Sequence, residues 1–328
     1  MSRFYLFTET AFHHEGDKDY LKSLVDETAK TGANGIKFQV LTKPSDFISS
    51  DHPSFNQLSS WCFQFKEWES VFSYTQKKGL DIILLPLNTE ALMLTQLFDV
   101  KYVEVHSVCF NHLKLLKEIK NSQSNVILGI GGRNIKEIKD AISFFGDLVK
   151  VLMVGFQSFP TSIGDIKLER IIYYKNTFPD LIMGYTDHSA YNDSFSIKSN
   201  EYARILGASV FEKHITINEG KRRTDFESAV EGVKIKRIID ALNFIENNIL
   251  FPQDQILEMT ESELNYRNRQ MRVVAKKYIP IGKVLDYNDL TFKMTGNNEG
   301  FTTMNSLIGK TTTNEITVDK LLTQHDVM

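Results

Sequence analysis

The 328-residue sequence contains only two cysteines, Cys62 and Cys109, which excludes a disulfide framework. This low cysteine content fits a reducing compartment, and we predict a cytoplasmic protein. No apolar run approaches the length of a membrane span, and Glu9 interrupts the first apolar run, so that run is predicted to be a strand rather than a signal peptide. A formal net charge of −3 gives no electrostatic case for binding nucleic acid or a membrane surface.

Two common enzyme signatures are also missing. No glycine-rich dinucleotide-binding loop follows the first predicted strand, and Ser189 lacks the G-x-S-x-G surroundings of a hydrolase nucleophile. Low-complexity segments are absent. A hydrophobic content of 42% and a charged content of 24% are ordinary for a globular protein, and the length suggests one large domain and a small one.

Strand-like and helix-like runs alternate through the first 250 residues. The predicted strands are 4–10, 35–40, 81–85, 102–105, 126–130, 149–154, 181–185 and 210–213. The predicted helices are 18–31, 66–78, 90–98, 112–119, 135–145, 168–176, 194–206 and 233–248. Eight such units predict an α/β protein with a TIM barrel, and an open doubly wound sheet is the alternative.

The composition changes after the eighth unit. We predict a barrel domain over 1–250 and a polar, partly helical linker over 251–270. Short β-like pieces punctuated by glycine and threonine then predict a small, mostly β domain over 271–328.

Two apolar runs each end in a histidine, His188 after Asp187 and His214 after Glu212 and Lys213. A helix-like segment joins the runs, so they are predicted to be parallel neighbours whose carboxyl ends meet at one edge. Two imidazoles flanked by acids at that edge suit a divalent metal ion. The alternative is that both histidines are hydrogen-bonded structural residues.

Residues just past the other predicted strands would share the same mouth of the barrel. Seven of the eight histidines fall in these loops, and only His325 lies in the tail. The remaining candidates are Glu9, Glu15, Lys37, Gln39, Ser107, Cys109, Gly129, Gly131, Gly132, Arg133, Gln157, Phe159, Thr186, Arg222, Arg223 and Asp225.

Lys37 lies inside an apolar strand, where a charge is costly without a partner. Either it binds the phosphate or carboxylate of a ligand, or it forms a salt bridge to Glu9 on the neighbouring strand. The glycines after the fifth strand could cradle a phosphate or serve only the turn. Cys109, with His106 nearby in sequence, is interpreted as an inert thiol rather than a nucleophile.

Four segments carry a specific resemblance: TETAFHHEG at 8–16, GANGIKFQ at 32–39, GYTDHS at 184–189 and GASVFEKHIT at 207–216. Together they resemble the sialic acid synthase family, the phosphoenolpyruvate-condensing synthases of nonulosonic acids. The tail resembles the antifreeze-like (SAF) domain of that family. The resemblance implies a TIM barrel in a domain-swapped homodimer, whose tail domain caps the active site of the partner subunit.

The resemblance also implies a mechanism. Manganese or magnesium on the residues matching His188 and His214 polarises the aldehyde of an open-chain N-acyl hexosamine. C3 of phosphoenolpyruvate attacks that aldehyde, water adds at C2, and phosphate leaves. Glu9, His214 and Asp225 match catalytic residues. The predicted substrate-binding residues are Lys37, Gln39, Ser107, Cys109, Arg133, Gln157, Phe159 and Thr186.

Several positions depart from the family pattern. Leu84-Leu85-Pro86 replaces the family's serine-threonine-proline turn after the third strand. Glu104 replaces a lysine, Cys109 a sugar-binding acid, Gly129 a serine and Met294 the arginine of the tail. Arg133, Arg222 and Arg223 are candidates for replacement charge. Three hypotheses remain: a divergent synthase, a metal-dependent lyase or aldolase with another substrate, and an inactive paralogue that binds a sugar or a partner synthase.

Overall fold

The computed structural model describes residues 4–156, 158–250 and 255–328. The chain divides into two compact units, Met1–Phe251 and Pro252–Met328. Each unit has an apolar core built from its own residues, so each buries its hydrophobic side chains independently.

The first unit is a closed barrel of eight parallel strands in sequence order, and the predicted TIM barrel is confirmed. β8 pairs with β1, which closes the barrel and places His214 opposite Glu9. The alternative, an open doubly wound sheet, is therefore excluded. The strands are β1 (Tyr5–Glu9), β2 (Gly35–Val40), β3 (Asp81–Pro86), β4 (Val100–Val105), β5 (Val126–Gly129), β6 (Val149–Val154), β7 (Ile182–Asp187) and β8 (Ala208–His214).

Helices surround this barrel and shield the outer faces of its strands. They are α1 (Lys18–Ala29), α2 (Phe55–Trp61), α3 (Phe65–Lys77), α4 (Leu94–Leu97), α5 (Leu113–Asn121), α6 (Ile135–Phe145), α7 (Arg170–Thr177), α8 (Phe195–Ile205) and α9 (Gly232–Asn248). No helix in the described part of the chain has the length and apolar character needed to cross a bilayer.

Two predicted segments differ from the structure. The long loop after β2 contains α2, which the sequence analysis missed. The helix predicted over 90–98 is present as a helical segment of mixed type, in which the 3₁₀ helix Thr89–Met93 leads into the single α-helical turn α4.

Local signals explain most of the other boundaries. Asp17 accepts a hydrogen bond from the Tyr20 backbone N–H and caps α1, whose apolar stripe faces the core. Gly79 follows the end of α3 with a φ of +74°, a left-handed conformation that glycine adopts without steric cost. Both boundaries follow from residues visible in the sequence.

The second unit is small and mostly irregular β structure. Its sheet pairs β9 (Arg272–Ala275) with β10 (Leu290–Lys293), and isolated bridges tie the following segments together. Within the predicted linker, α10 (Glu261–Arg267) begins at Thr260, which forms a capping box with Glu263.

Candidate active site at the carboxyl end of the barrel

Alternate residues of each strand point into the barrel, as the period of two requires. The inner apolar cluster contains Phe7, Ile83, Ile127, Val151, Met153 and Val210. Toward the carboxyl ends of the strands the inward side chains become mostly polar and line a pocket. The lining residues are Glu9, Lys37, Gln39, Leu85, Glu104, His106, Ser107, Gly129, Gly131, Met153, Phe156, Phe159, Thr186, His188, Glu212 and His214.

Lys37 lies at the centre of this pocket, enclosed by three carboxylates. Its Nζ is 2.5 Å from Glu9, 2.9 Å from Glu104 and 2.7 Å from Glu212, and all four side chains are buried. The salt bridge to Glu9 considered from the sequence is therefore present, together with two more. Burial alone would lower the pKa of Lys37, but the three carboxylates hold it well above its usual range, so the ammonium stays charged.

The three carboxylates have different protonation properties. Burial would raise the pKa of Glu9, but Lys37 and His214 hold it well below its usual range. Burial raises the pKa of Glu104 and, more strongly, that of Glu212. The charges of Glu9 and Glu104 add to the rise in the pKa of Glu212. The three carboxylates therefore differ in how strongly burial and neighbouring charges favour their protonated forms.

His188, Glu212 and His214 form a buried group whose possible ligand atoms lie within 4.8 Å of one another. Burial lowers the pKa of both histidines, to about 4 for His214, so both imidazoles are neutral and can donate a lone pair to a metal ion. Nδ1 of His188 is buried without a hydrogen-bond partner. An orphaned imidazole nitrogen beside another imidazole and a carboxylate fits a divalent metal ion.

Aromatic rings enclose His188. The rings of Phe156, Phe159 and His214 lie 4.7, 5.5 and 4.6 Å from its ring centroid, all in edge-to-face arrangements. Such packing favours one orientation of the imidazole within the candidate metal-binding group.

A second buried charge pair lies behind the two histidines. Lys213 Nζ is 3.3 Å from Asp187 and donates a 2.9 Å hydrogen bond to the Ser189 carbonyl oxygen. Asp187 also accepts hydrogen bonds from the Ser189 N–H and from Asn200 on α8. Because Asp187 precedes His188 and Lys213 precedes His214, this network ties together the two strand ends that carry the imidazoles.

The loop after β8 brings Asp225 close enough to Glu9 for their charges to interact. Burial, and then the charge of Glu9, raises the pKa of Asp225 to about 7. Asp225 has a φ of +59°, which asparagine and aspartate tolerate better than most residues. His13 supports this loop by a 2.6 Å hydrogen bond to the Thr224 carbonyl oxygen. Asp225 is thus held in a fixed backbone conformation with its proton exchangeable near neutral pH.

The structure brings most of the sequence-predicted residues to the pocket. Gln39, Ser107, Phe159 and Thr186 line it, and Gln39 donates a 2.7 Å hydrogen bond to Glu9. Gln157 lies outside the described residues.

Two predicted substrate-binding residues are not part of the lining. Cys109 packs in the apolar core, and burial raises the pKa of its thiol to about 11, in keeping with an inert thiol. Arg133 pairs with Glu137 on α6.

The other arginines and histidines named from the sequence lie elsewhere. Arg223 stacks on the Tyr20 ring and contacts Glu15, and Arg222 is exposed. His13 and His14 are buried in the loop after β1, where His14 stacks on Phe63. Neither arginine lines the pocket, so neither replaces the cationic groups that the family resemblance led us to expect.

Three titratable lining residues were not assigned a catalytic, metal-binding or substrate-binding role from the sequence: Glu104, His106 and Glu212. Each lies two residues from another lining position, since Glu104 precedes His106 on one strand end and Glu212 precedes His214 on another. Strict application of the strand period to β4 and β8 would have found all three.

Comparison with known proteins agrees with this architecture. The model of the NeuB family matches residues 24–250, more than half of the chain. The chain belongs to the NeuB family. It is 24% identical to the N,N'-diacetyllegionaminic acid synthase of Campylobacter jejuni over 98% of this chain and 99% of that protein.

Solved structures share the fold of this NeuB-family chain. A putative spore coat polysaccharide biosynthesis protein E from Chromobacterium violaceum superposes with a TM-score of 0.86 at 19% identity, covering 99% of each chain. An N-acetylneuraminic acid synthetase from Leptospira borgpetersenii, solved with citrate, gives a TM-score of 0.72 at 24% identity, covering 81% of this chain and 91% of that one.

Proposed function

We propose that this NeuB-family protein is a metal-dependent synthase that joins phosphoenolpyruvate to the aldehyde of an open-chain N-acyl sugar and releases phosphate. The observation that carries the proposal is the buried group of His188, Glu212 and His214 at the mouth of a barrel of this family. Relatives include synthases of legionaminic, pseudaminic and N-acetylneuraminic acid derivatives.

Roles in this proposal follow from the contacts. His188, Glu212 and His214 would hold a manganese or magnesium ion, which would supply Lewis-acid polarisation of the aldehyde oxygen. The new bond joins C3 of phosphoenolpyruvate to the aldehyde carbon, water adds at C2, and cleavage of the C–O bond releases phosphate. We assign Asp225 the protonation of the new hydroxyl group, because a pKa near neutrality suits proton exchange.

The remaining polar lining residues bind the substrates. Ser107 and Thr186 supply hydroxyl groups, and Gln39, oriented by Glu9, supplies an amide to the sugar. Phe156 and Phe159 limit the access of water to the reacting groups.

The second unit is proposed to serve the same site in a dimer. We propose that residues 271–328 form an SAF-like domain that caps the site of a partner subunit in a domain-swapped homodimer located in the cytoplasm. A dimeric mass in multi-angle light scattering is expected, and a monomer at all concentrations contradicts the swapped arrangement.

Calorimetric titration of phosphoenolpyruvate into the manganese-loaded protein tests the donor without knowledge of the acceptor. Micromolar binding supports the synthase and justifies a screen of N-acyl hexosamines for phosphate release. Absence of binding at millimolar phosphoenolpyruvate contradicts it. The His188→Ala, His214→Ala double variant is the control for this screen, because its phosphate release should fall to background.

One observation favours a second function. Lys37 is neutralised by carboxylates, and no arginine is found among the described lining residues. A metal-dependent lyase or aldolase acting on a less anionic substrate needs no such cations. Metal-dependent cleavage of a sugar acid to pyruvate, without phosphate, would establish this activity. A protein without either activity that still binds the sugar or a partner synthase would fit an inactive paralogue.

A further inference from the structure

Charge is distributed unevenly around the pocket. Strands β3 to β6 contribute Leu85, Glu104, Gly129 and Met153 to the lining, and no lysine or arginine among their described residues lines it. Lys37 on β2 is the one lysine or arginine among the described lining residues, and it pairs with Glu104 on β4. Whether the pocket attracts an anion therefore depends on whether Lys37 is free to bind one.

Lys37 is fully occupied within the protein. An ammonium group has three N–H donors, and three carboxylates lie within 2.9 Å of Nζ. A ligand carboxylate or phosphate could bind Lys37 only by displacing one of them. Displacement would leave a buried carboxylate without its counter-ion, which is strongly unfavourable.

The three carboxylates are not equivalent, and Glu104 is the one committed to Lys37. Glu212 belongs to the metal-ligating group, and Glu9 also accepts a hydrogen bond from Gln39. Glu104 accepts a 2.9 Å hydrogen bond from Lys37, and the neighbouring strand leaves space for its carboxylate. That space exists because Gly129 has no side chain: a Cβ there would lie 3.1 Å from Glu104 Oε1.

We propose that Glu104 is a specificity-determining residue, which occupies Lys37 and lowers the affinity of the pocket for strongly anionic ligands, phosphoenolpyruvate included, without abolishing it. The ligand group that binds beside Lys37 is then uncharged or carries a single negative charge, as a carboxylate does. This proposal rests on the proposed function only for the choice of phosphoenolpyruvate as a probe. It concerns binding, so it can fail while the synthase activity is confirmed. It can also be confirmed while the synthase activity is absent.

Binding of three probes to the metal-loaded full-length protein tests the proposal. Affinities of the wild type and Glu104→Gln are measured for phosphoenolpyruvate, for pyruvate and for an uncharged N-acyl hexosamine. We expect Glu104→Gln to bind phosphoenolpyruvate about tenfold more tightly or better, the size of one charge-assisted contact. The gain should be smaller for pyruvate and absent for the uncharged sugar.

Glu118→Gln on α5 is the control, because it removes an exposed carboxylate outside the pocket lining and should leave phosphoenolpyruvate affinity near that of the wild type. If Glu104→Gln does not fold, Glu104→Ser also removes the charge and should give the same order of gains. Unchanged or weaker phosphoenolpyruvate binding in a folded, neutral variant overturns the proposal. An equal gain for all three probes also overturns it, since pocket volume and not charge would then be responsible.

Discussion

The carboxylate of Glu104 on β4 fills the space that a side chain of Gly129 on β5 would need. A Cβ at position 129 would lie 3.1 Å from Glu104 Oε1 and 3.4 Å from the Val105 carbonyl oxygen. The first distance is tighter than an ordinary van der Waals contact, so the carboxylate would have to shift by a few tenths of an ångström, which would disturb its contact with Lys37. The acid and the glycine are therefore two parts of one local arrangement.

This relationship predicts coupling between the two positions. Gly129→Ser should lower the free energy of unfolding by about 1–3 kcal/mol, the usual cost of overpacking. Much of this loss should be recovered when Glu104 is also replaced by alanine, because the clash is then removed. Urea denaturation of the two single variants and the double variant gives the coupling energy.

Gly164→Ser is a suitable control, since an added Cβ there meets no atom within 4 Å. It should show no coupling to Glu104. Additive effects of Gly129→Ser and Glu104→Ala would contradict the packing relationship.

Metal binding should depend on His188, Glu212 and His214 together. Replacing both histidines with alanine should abolish binding of manganese, because it removes two of the three clustered ligand atoms. Glu212→Gln should weaken binding by more than the 10- to 100-fold typical of a lost supporting hydrogen bond. Calorimetry and metal analysis after dialysis measure both effects.

His52 provides the matched control for these variants. It lies in the loop after β2, outside the pocket lining, and its Nδ1 accepts a hydrogen bond from the Ser54 N–H. His52→Ala should therefore retain the full metal content. Wild-type metal content in the double histidine variant would disprove the metal site.

The charge pair of Asp187 and Lys213 should contribute strongly to stability. Both side chains are at most 1% exposed, so removing one partner leaves a buried charge uncompensated. Asp187→Asn or Lys213→Met should each cost about 3–5 kcal/mol, and the double variant should recover part of the loss. Urea denaturation measures this cost. Both single variants should also bind manganese more weakly, because Asp187 and Lys213 directly precede His188 and His214 in the sequence.

An exposed pair provides the comparison. Lys136 and Asp140 are 2.6 Å apart with side chains 82% and 63% exposed, and such pairs contribute little. Lys136→Met should change stability by less than about 0.5 kcal/mol. If Lys213→Met lowered the free energy of unfolding by as little as Lys136→Met does, the buried pair of Asp187 and Lys213 would not be a stabilising element.

The alternation of residues along the strands explains how much of the site was predictable. On β8, Glu212 and His214 point into the barrel while Lys213, between them, points to the surrounding layer. The apolar runs and their polar ends therefore predicted the barrel, its mouth and the two histidines. The same reasoning identified Lys37 as an unusual buried charge.

The partners of Lys37 could not be predicted in the same way. Glu104 and Glu212 lie 67 and 175 residues away from it in sequence. Their contact crosses the barrel interior between strands that are not neighbours, and so depends on the stagger of the closed sheet. Arg133 shows the opposite difficulty: a loop position at the mouth did not reveal that its side chain pairs along α6 with Glu137.

Asp225 should make stability depend on pH in the metal-free protein. Its pKa is about 7 in the folded state, against an ordinary value of 3.8, because burial and Glu9 disfavour its ionised form. Between these values the folded state holds a proton that the unfolded state has lost. The protonated form of Asp225 therefore contributes its full stabilisation below about pH 4. This contribution to the free energy of unfolding decreases between about pH 4 and pH 7 and is lost above about pH 7. Its size is on the order of 1.4 kcal/mol for each pKa unit between the two values.

Asp225→Asn isolates this effect, because asparagine tolerates the φ of +59° and carries no titratable proton. The difference in unfolding free energy between the wild type and this variant, measured by urea denaturation from pH 4 to 8, should move in favour of the variant as the pH rises. The other titrating groups are shared by the two proteins, and their contributions cancel in that difference except for that of Glu9, whose charge interacts with Asp225. Parallel stability curves would mean that Asp225 ionises at its ordinary pKa, and it would then be unsuited to exchange a proton near neutral pH.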